Sequence, residues 1–139
     1  MHDGKQSGVF VDENGQGTVE DCDIFGNALS EVQISEGSNP TIRRCKIDDG
    51  KQGGVLVWGN GQGTVEDCDI FGNAYAGVII KEGGNPTIGR CKINHNGYEA
   101  VRVHNKGGGT VENCDLTGNS RGAWDIDASS RVQRSGNKE

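Results

Sequence analysis

The stretch NGQGTVEDCDIFGNA, at Asn60–Ala74, decides the fold because it recurs along the chain. The same fifteen letters stand at Asn14–Ala28, and a diverged copy, KGGGTVENCDLTGNS, stands at Lys106–Ser120. These copies are 46 residues apart, but the basic period is 23 residues, because a cysteine recurs at that interval without slippage. A fixed period of this length is typical of stacked repeat proteins. The cysteines are Cys22, Cys45, Cys68, Cys91 and Cys114.

Alignment on the 23-residue period places similar residues in columns. Four columns are apolar in almost every repeat, and the first two are two positions apart, as in a strand with one buried face. Gly, Asn and Pro separate these short strands, as turns require. The columns predict an all-β chain that forms a right-handed parallel β-helix, a solenoid of about six coils of 23 residues with three short strands per coil. The columns begin at Val9, Val11, Val19 and Ile24.

The composition suits a narrow core. Gly accounts for 24 of 139 residues, and aromatic residues account for only 5%. A broad globular core would need more Leu and aromatic side chains, whereas a β-helix needs only one or two β-branched side chains per strand. The net charge of −6 argues against nucleic-acid binding. No segment has the apolar length of a secretory signal or of a membrane span.

The length of the chain predicts a single domain. We expect the β-helix to cover residues 1–127 and to be followed by a polar tail, residues 128–139, that frays from Arg131 onward. His2–Gly8 matches Asp48–Gly54, so the chain starts inside a repeat and is expected to be a fragment of a longer array. Trp124 replaces the usual valine in the last repeat and is predicted to cover the end of the core.

Charge explains why the longest repeat spans two coils instead of one. In a parallel stack, identical positions lie on top of one another, so identical charged coils would bring like charges together. The charged columns instead alternate in sign, which is worth about 0.2–1 kcal/mol for each exposed pair. The alternation also disfavours slippage by one coil. The clearest column is Asp23, Lys46, Asp69, Lys92 and Asp115.

A polar corner follows the last strand of each coil. Asn occupies this position in most coils, and Gly50 occupies it in one. We expect a left-handed backbone here, which Asn and Gly tolerate, and hydrogen bonds between stacked Asn amides along the rod. The corner residues are Asn27, Asn73, Asn96 and Asn119.

The repeats also resemble a known family. The pattern G-V-x-V followed by G-x-G-T-V-E-x-C-x-I-x-G-N, together with NPTIRRCKI at Asn39–Ile47, is similar to the parallel β-helix repeats of carbohydrate-binding proteins and sugar hydrolases. The likeness runs from Gly4 to about Ile126 and is greatest for the repeats of a β-helix F-box adaptor of ubiquitin ligases and its bacterial relatives, although no F-box is present. The resemblance implies a fold but not one function, because the family includes pectin-type lyases, polysaccharide hydrolases, periplasmic maturation proteins and protein-binding modules.

The acidic residues of the repeat raise the question of catalysis. Glu20, Asp21 and Asp23 could form an acid–base pair or hold calcium, as in polysaccharide enzymes with this fold. Their neighbours one coil away are Arg or Lys, which separates the carboxylates from one another. We therefore predict no catalytic residues, and the sequence indicates no cofactor.

The cysteine column has no C-x-x-C motif and places one thiol above another in the wall of the solenoid. Neighbouring Cα atoms about 4.8 Å apart are within disulfide range, but their Cβ vectors run parallel instead of converging. We predict five buried, reduced and metal-free thiols that act as small hydrophobic side chains. Reduced thiols and the lack of a signal peptide predict a cytoplasmic location.

The outward positions of the first strand suggest a contact surface. Four apolar side chains are predicted to be exposed on this flat face, more than scattered surface residues would give. Basic side chains follow in the later coils and could bind an anionic ligand or a peptide, although terminal repeats are also usually atypical. We predict that partner binding involves Phe10, Leu56, Trp58, Ile79, Lys81, Arg102 and His104.

Two functions remain open at this point. The first is a non-enzymatic repeat scaffold that presents this face to a protein or peptide, including a second copy of the chain in a homodimer. The alternative is a carbohydrate module that binds or cleaves an acidic polysaccharide, as a lyase or glycoside hydrolase. The near-identity of the coils favours the scaffold, because an active site would require one coil to break the pattern with convergent acids. No nucleic-acid or membrane partner is expected.

Overall fold

The computed structural model of the protein describes residues 4–139, and every regular element in that range is a strand of three residues. The strands form three parallel sheets. The first sheet contains, in order, β1 (Val9–Val11), β4 (Val32–Ile34), β7 (Val55–Val57), β10 (Val78–Ile80), β13 (Val101–Val103) and β15 (Trp124–Ile126). The second contains β2 (Thr18–Glu20), β5 (Thr41–Arg43), β8 (Thr64–Glu66), β11 (Thr87–Gly89), β14 (Thr110–Glu112) and β16 (Gln133–Ser135). The third contains β3 (Asp23–Phe25), β6 (Lys46–Asp48), β9 (Asp69–Phe71) and β12 (Lys92–Asn94).

The register of all three sheets is set by the 23-residue period. Val9 pairs with Val32 in the first sheet, and Asp23 pairs with Lys46 in the third, so each residue lies next to its own copy in the following coil. The predicted solenoid with three short strands per coil is therefore confirmed. Residues 4–139 contain no helix long and apolar enough to cross a membrane. The first three residues of the predicted domain lie outside the described range.

The core is one continuous cluster of inward side chains from the stacked apolar columns. In the middle coils, the valines and isoleucines that alternate with outward residues are fully buried, as expected for strands with one face toward the axis. At the ends of the rod, Val9, Val19 and Ile126 are only partly buried. Four of the cysteines join this core, whereas Cys22 is only half-buried, so the prediction of complete burial is wrong for that residue. Each buried thiol donates to the carbonyl two residues earlier, as Cys45 does to Arg43 at 3.3 Å. Burial raises the pKa of Cys45 to about 11, which keeps its thiol protonated.

The last coil is more ordered than the polar composition of its end suggests. Strand β16 pairs with β14 in register, and the backbone of Lys138 forms a bridge with Asp115. The expectation that the chain frays from Arg131 is therefore wrong, because backbone pairing holds this polar segment and Val132 packs against the core. Trp124 packs against the core as predicted, and the guanidinium of Arg134 lies 5.1 Å from the centre of its ring. The division of the chain at residue 127 stays a prediction.

The polar corner after the third sheet is held by side-chain amides. The backbone N–H and the amide of Asn73 both donate to Oδ1 of Asn96, at 3.1 and 3.0 Å. Asn96 makes the same two bonds to Asn119, each at 2.9 Å. The predicted left-handed backbone is misplaced by one residue: Gly72, with φ of 67°, adopts it, and Asn73 does not. The turn made by the preceding residue aims the amide inward, where it is buried.

Candidate functional site

The outward residues of the first sheet form one continuous row. We call this row, together with the residues that directly follow the strands, the first-sheet face. Because strands pair only with their own copies, each outward side chain lies directly above its counterpart in the previous coil. The residues just after β7, β10 and β13 extend the face sideways: Trp58, Lys81 and His104. The row itself reads Phe10, Gln33, Leu56, Ile79, Arg102 and Asp125.

The apolar part of this face is less exposed than the sequence pattern predicts. Phe10 is 53% exposed, but Leu56, Trp58 and Ile79 are half-buried. For Ile79, the reason is that its side chain packs over the turn of the previous coil. A Cβ on Gly53 would stand 2.8 Å from Cδ1 of Ile79, so that glycine provides the space in which the isoleucine packs.

A hydrogen-bonded chain fixes Trp58 on the face. Gln33 is buried, and its amide donates to the hydroxyl of Ser7 at 2.7 Å. The Gln33 carbonyl oxygen accepts the indole N–H of Trp58 at 3.4 Å. The indole therefore has its polar atom satisfied within the protein and presents an oriented apolar ring, which is the form of aromatic side chain that contributes most at interfaces.

Toward the C-terminal coils, the first-sheet face is polar, and some of its nitrogen atoms have no hydrogen-bond partner in the described part of the chain. Lys81, Arg102 and His104 are all half-buried, so the structure places the three predicted basic residues on the same face as the apolar ones. Nε of Arg102 is buried and lies 3.4 Å from Oδ2 of Asp125, an ion pair in which this nitrogen makes no hydrogen bond. Nε2 of His104 is buried and has no hydrogen-bond partner within residues 4–139. Buried polar atoms without partners are unusual and mark this part of the face as a place where a ligand could supply the missing bond.

The sequence analysis did not predict an aromatic stack that lies beside the first-sheet face. The rings of Tyr75 and Tyr98 are stacked with centroids 5.1 Å apart, and the guanidinium of Arg121 lies 3.8 Å from the centre of the Tyr98 ring. The signal was available, because these residues are 23 positions apart and so must lie in one column. Tyr75 is 41% exposed, and the stack therefore adds an aromatic edge at the corner where each coil enters the first sheet.

The outer side of the second sheet is different, because its charges neutralise one another. Nε of Arg43 lies 2.7 Å from Oε2 of Glu20, and Nε of Arg44 lies 2.9 Å from Oδ1 of Asp21. The hydrogen bond from Arg44 lowers the pKa of Asp21, and Arg90 lowers the pKa of Asp67 in the same way two coils later. Asp21 and Asp67 are thus ion-pair partners with lowered pKa values, which is the opposite of what a general acid needs.

Asp48 and one cluster of three carboxylates have features that also occur in catalytic or metal sites. Burial, followed by repulsion from Asp23 and Asp49, raises the pKa of Asp48 to about 6, but this carboxyl lies in register between Phe25 and Phe71 on the third sheet. Separately, the ligand atoms of three exposed carboxylates lie within 4.8 Å of one another, and exposed acidic groups are common without an ion, so we assign no metal to them. Those residues are Asp12, Glu13 and Glu36.

Comparison with known proteins gives the family. The model of the right-handed beta helix region matches residues 1–138, which is nearly the whole chain. The chain belongs to the right-handed β-helix family. This β-helix has no match among curated proteins, and no solved structure matches it. The more specific likeness to an F-box adaptor and its bacterial relatives therefore stays a prediction, and membership of the family establishes the fold and its handedness without choosing a ligand.

Proposed function

We propose that this β-helix is a non-enzymatic scaffold that binds a protein or peptide partner on the first-sheet face. The observation that carries the proposal is the contrast between two outer surfaces. On the second sheet, arginines of the next coil form ion pairs with Glu20, Asp21 and Asp67. On the first-sheet face, an exposed Phe10 and an oriented Trp58 accompany basic side chains, two of which have a buried nitrogen without a hydrogen-bond partner among the described residues.

The shape of the face suits an extended partner. Its strands are short, parallel and stacked, so the surface is a flat strip that runs along the rod. Repeat proteins use such strips to contact partners over several repeats. Half-buried Leu56, Trp58 and Ile79 offer shallow apolar contacts whose side chains are already held in place, which reduces the entropy lost on binding. We expect modest affinity from each contact and selectivity from their spacing.

The experiment is selection of a displayed random-peptide library on the immobilised protein, followed by affinity measurements with each enriched synthetic peptide. Trp58→Ser is the test variant. Phe71→Ser is the matched control, because Phe71 is also an outward, half-buried aromatic residue but lies on the third sheet. We expect Trp58→Ser to weaken binding at least tenfold and Phe71→Ser to leave it unchanged. Equal loss in both variants, or no enrichment at all, would refute the proposal. Light scattering of the same proteins tests whether the partner is a second copy of the chain.

The alternative function is a carbohydrate-binding or polysaccharide-cleaving module. The exposed rings of Phe10 and Tyr75 are the observation in its favour, because aromatic surfaces stack on sugars as well as on peptides. A glycan array, combined with an absorbance assay for the unsaturated products of lyases, separates the two functions. Binding to an acidic polysaccharide that is lost in Phe10→Ser and Tyr75→Ser would favour the alternative.

A further inference from the structure

One column of the solenoid has a missing side chain. The turn that leads into the second sheet carries an amide side chain in each of the first four coils, as at Asn85, but the fifth coil has Gly108 and the sixth has Arg131. A Cβ built on Gly108 would lie 3.5 Å from Oδ1 of Asn85 and 3.2 Å from the carbonyl oxygen of Arg131. A β-carbon at this position would thus touch both residues, and the glycine leaves a gap there. The amides of the earlier coils belong to Gln16, Asn39, Gln62 and Asn85.

A surface cavity of about 430 Å³ opens at this gap. Besides Gly108 and Gly109, its lining residues are Asn85, Thr110, Arg131, Val132 and Gln133. The side chains of the four polar residues can donate hydrogen bonds, and no carboxylate is among the lining residues. A donor-rich cavity without an acid is unusual in a chain whose net charge is −6.

Arg131 is also set apart from the other arginines of the described chain. No ion pair or ring contact involves its guanidinium within residues 4–139, so its charge is not neutralised by the protein. Four of the other arginines contact carboxylates, and two lie over aromatic rings. The first group is Arg43, Arg44, Arg90 and Arg102, and the second is Arg121 and Arg134.

The backbone adds a further donor. The N–H of Gly109 makes no hydrogen bond to any acceptor in the described residues. The same column holds Pro40 and Pro86, which have no N–H, so the stacking of coils does not need a donor at this position. Glycine at 109 therefore leaves a free N–H in the lining of the cavity. The flanking N–H groups of Gly108 and Thr110 are bonded to Gly84 and Pro86 of the previous coil.

We propose that this cavity is a binding site for a carboxylate group. The guanidinium of Arg131 would pair with both carboxylate oxygens, since the planar fork of arginine matches that geometry, while the amides and hydroxyl would take the remaining lone pairs. The carboxylate could belong to an acidic side chain of a peptide or to a free small acid. The site lies at the corner before the second sheet and is separate from the first-sheet face, so it does not depend on the proposed function.

The test is a titration followed by the amide NMR signals of residues 108–110, with two probes: a blocked Asp-Glu dipeptide and free succinate. We expect saturable shifts at millimolar concentration, and a dipeptide-only response would identify the peptide source. Arg131→Gln should weaken binding at least tenfold. Gly108→Asn restores the side chain of the earlier coils and should abolish binding although the charge is retained. Gly108→Ala, a smaller change, should weaken it.

The matched control is Arg121→Gln, which removes an equal charge from a different column. Binding should be unchanged in this variant. Linear, unsaturable shifts with both probes, or equal weakening by Arg121→Gln and Arg131→Gln, would mean a general ionic effect and would overturn the proposal. Retention of full affinity in both Gly108 variants would overturn it as well, because the cavity would then not be the site.

Discussion

The corner after the third sheet is built in two ways along the same rod. At Asn73 and Asn96, buried amides bond to one another from coil to coil. At Gly50 the amide is missing, and the carboxylate of Glu31 occupies its space: a Cβ on Gly50 would stand 2.8 Å from Oε1 of Glu31. That oxygen accepts the backbone N–H of Asn27 at 2.8 Å, a bond that the missing amide would otherwise have made.

In both corners a side-chain oxygen accepts the backbone N–H of the corner residue, but the oxygen comes from a different residue in each. Glu31 stands where the equivalent residues of other coils are Gly or Ala, so a Gly–Asn pair has been exchanged for a Glu–Gly pair. The exchange is not neutral in charge. Glu31 is fully buried, and this burial raises the pKa of its carboxyl. The coil with Glu31 thus has an ionisable group where the neighbouring coils have a neutral amide.

The largest expected effect comes from breaking the amide corner. In Asn73→Ala, the N–H of Gly50 loses its acceptor at 2.9 Å and the carbonyl of Ile47 loses its donor at 3.2 Å. Because these groups are buried and stay unsatisfied, we expect a loss of about 2–4 kcal/mol in the free energy of unfolding, measured by urea titration. A loss below about 1 kcal/mol would mean that water replaces the amide.

At the corner formed by Glu31 and Gly50, the two single substitutions should each lower the free energy of unfolding, and the double substitution should restore most of it. Glu31→Gly should cost about 2–3 kcal/mol, and Gly50→Asn should also destabilise the protein because the new side chain collides with Glu31. The double variant recreates the corner of the other coils and should regain most of the stability. A double-mutant cycle measures this coupling. Simple additivity of the two losses would show that Glu31 does not substitute for the amide.

A smaller effect concerns Asp48, two residues before Gly50. A carboxyl whose pKa is raised by folding, here from 3.8 to about 6, adds stability that is complete below pH 3.8 and is lost as the pH rises through 6. Partial exposure reduces the effect to about 1–2 kcal/mol. Asp48→Asn should therefore remove part of the stability difference between pH 4 and pH 7 in urea titrations. An unchanged pH profile would assign that dependence to Glu31 or other groups.

The smallest effect is expected from an exposed charge in the same coil. Lys46 lies in register between Asp23 and Asp69, so Lys46→Asp would place three carboxylates in succession. We expect a loss of about 1 kcal/mol at low salt that added salt partly reverses, because exposed charges are screened. A midpoint of unfolding that changes with neither the substitution nor salt would contradict a stabilising role for the alternation.

The fold could be predicted because the repeat converts sequence distance directly into spatial neighbourhood. Once cysteines recur every 23 residues, the stacking of Val9 on Val32 follows without further information. The exposed fraction of each side chain was less predictable than the fold. The period fixes whether a side chain points in or out, but the burial of Gln33 depends on its amide reaching Ser7 in the coil before. The burial of Glu31 was likewise hidden, since its partner Gly50 belongs to a different column.

The cysteine column has a consequence for how the rod comes apart. Each coil carries one thiol at the same point of the wall, and those of Cys45, Cys68, Cys91 and Cys114 are buried. A thiol reagent can reach one of these sulfurs only when its own coil opens. The rate of labelling at each cysteine, read by mass spectrometry, therefore gives the opening free energy of that coil separately. In a solenoid whose coils contact only their neighbours, these rates would record unfolding as a sequence of local events along the axis.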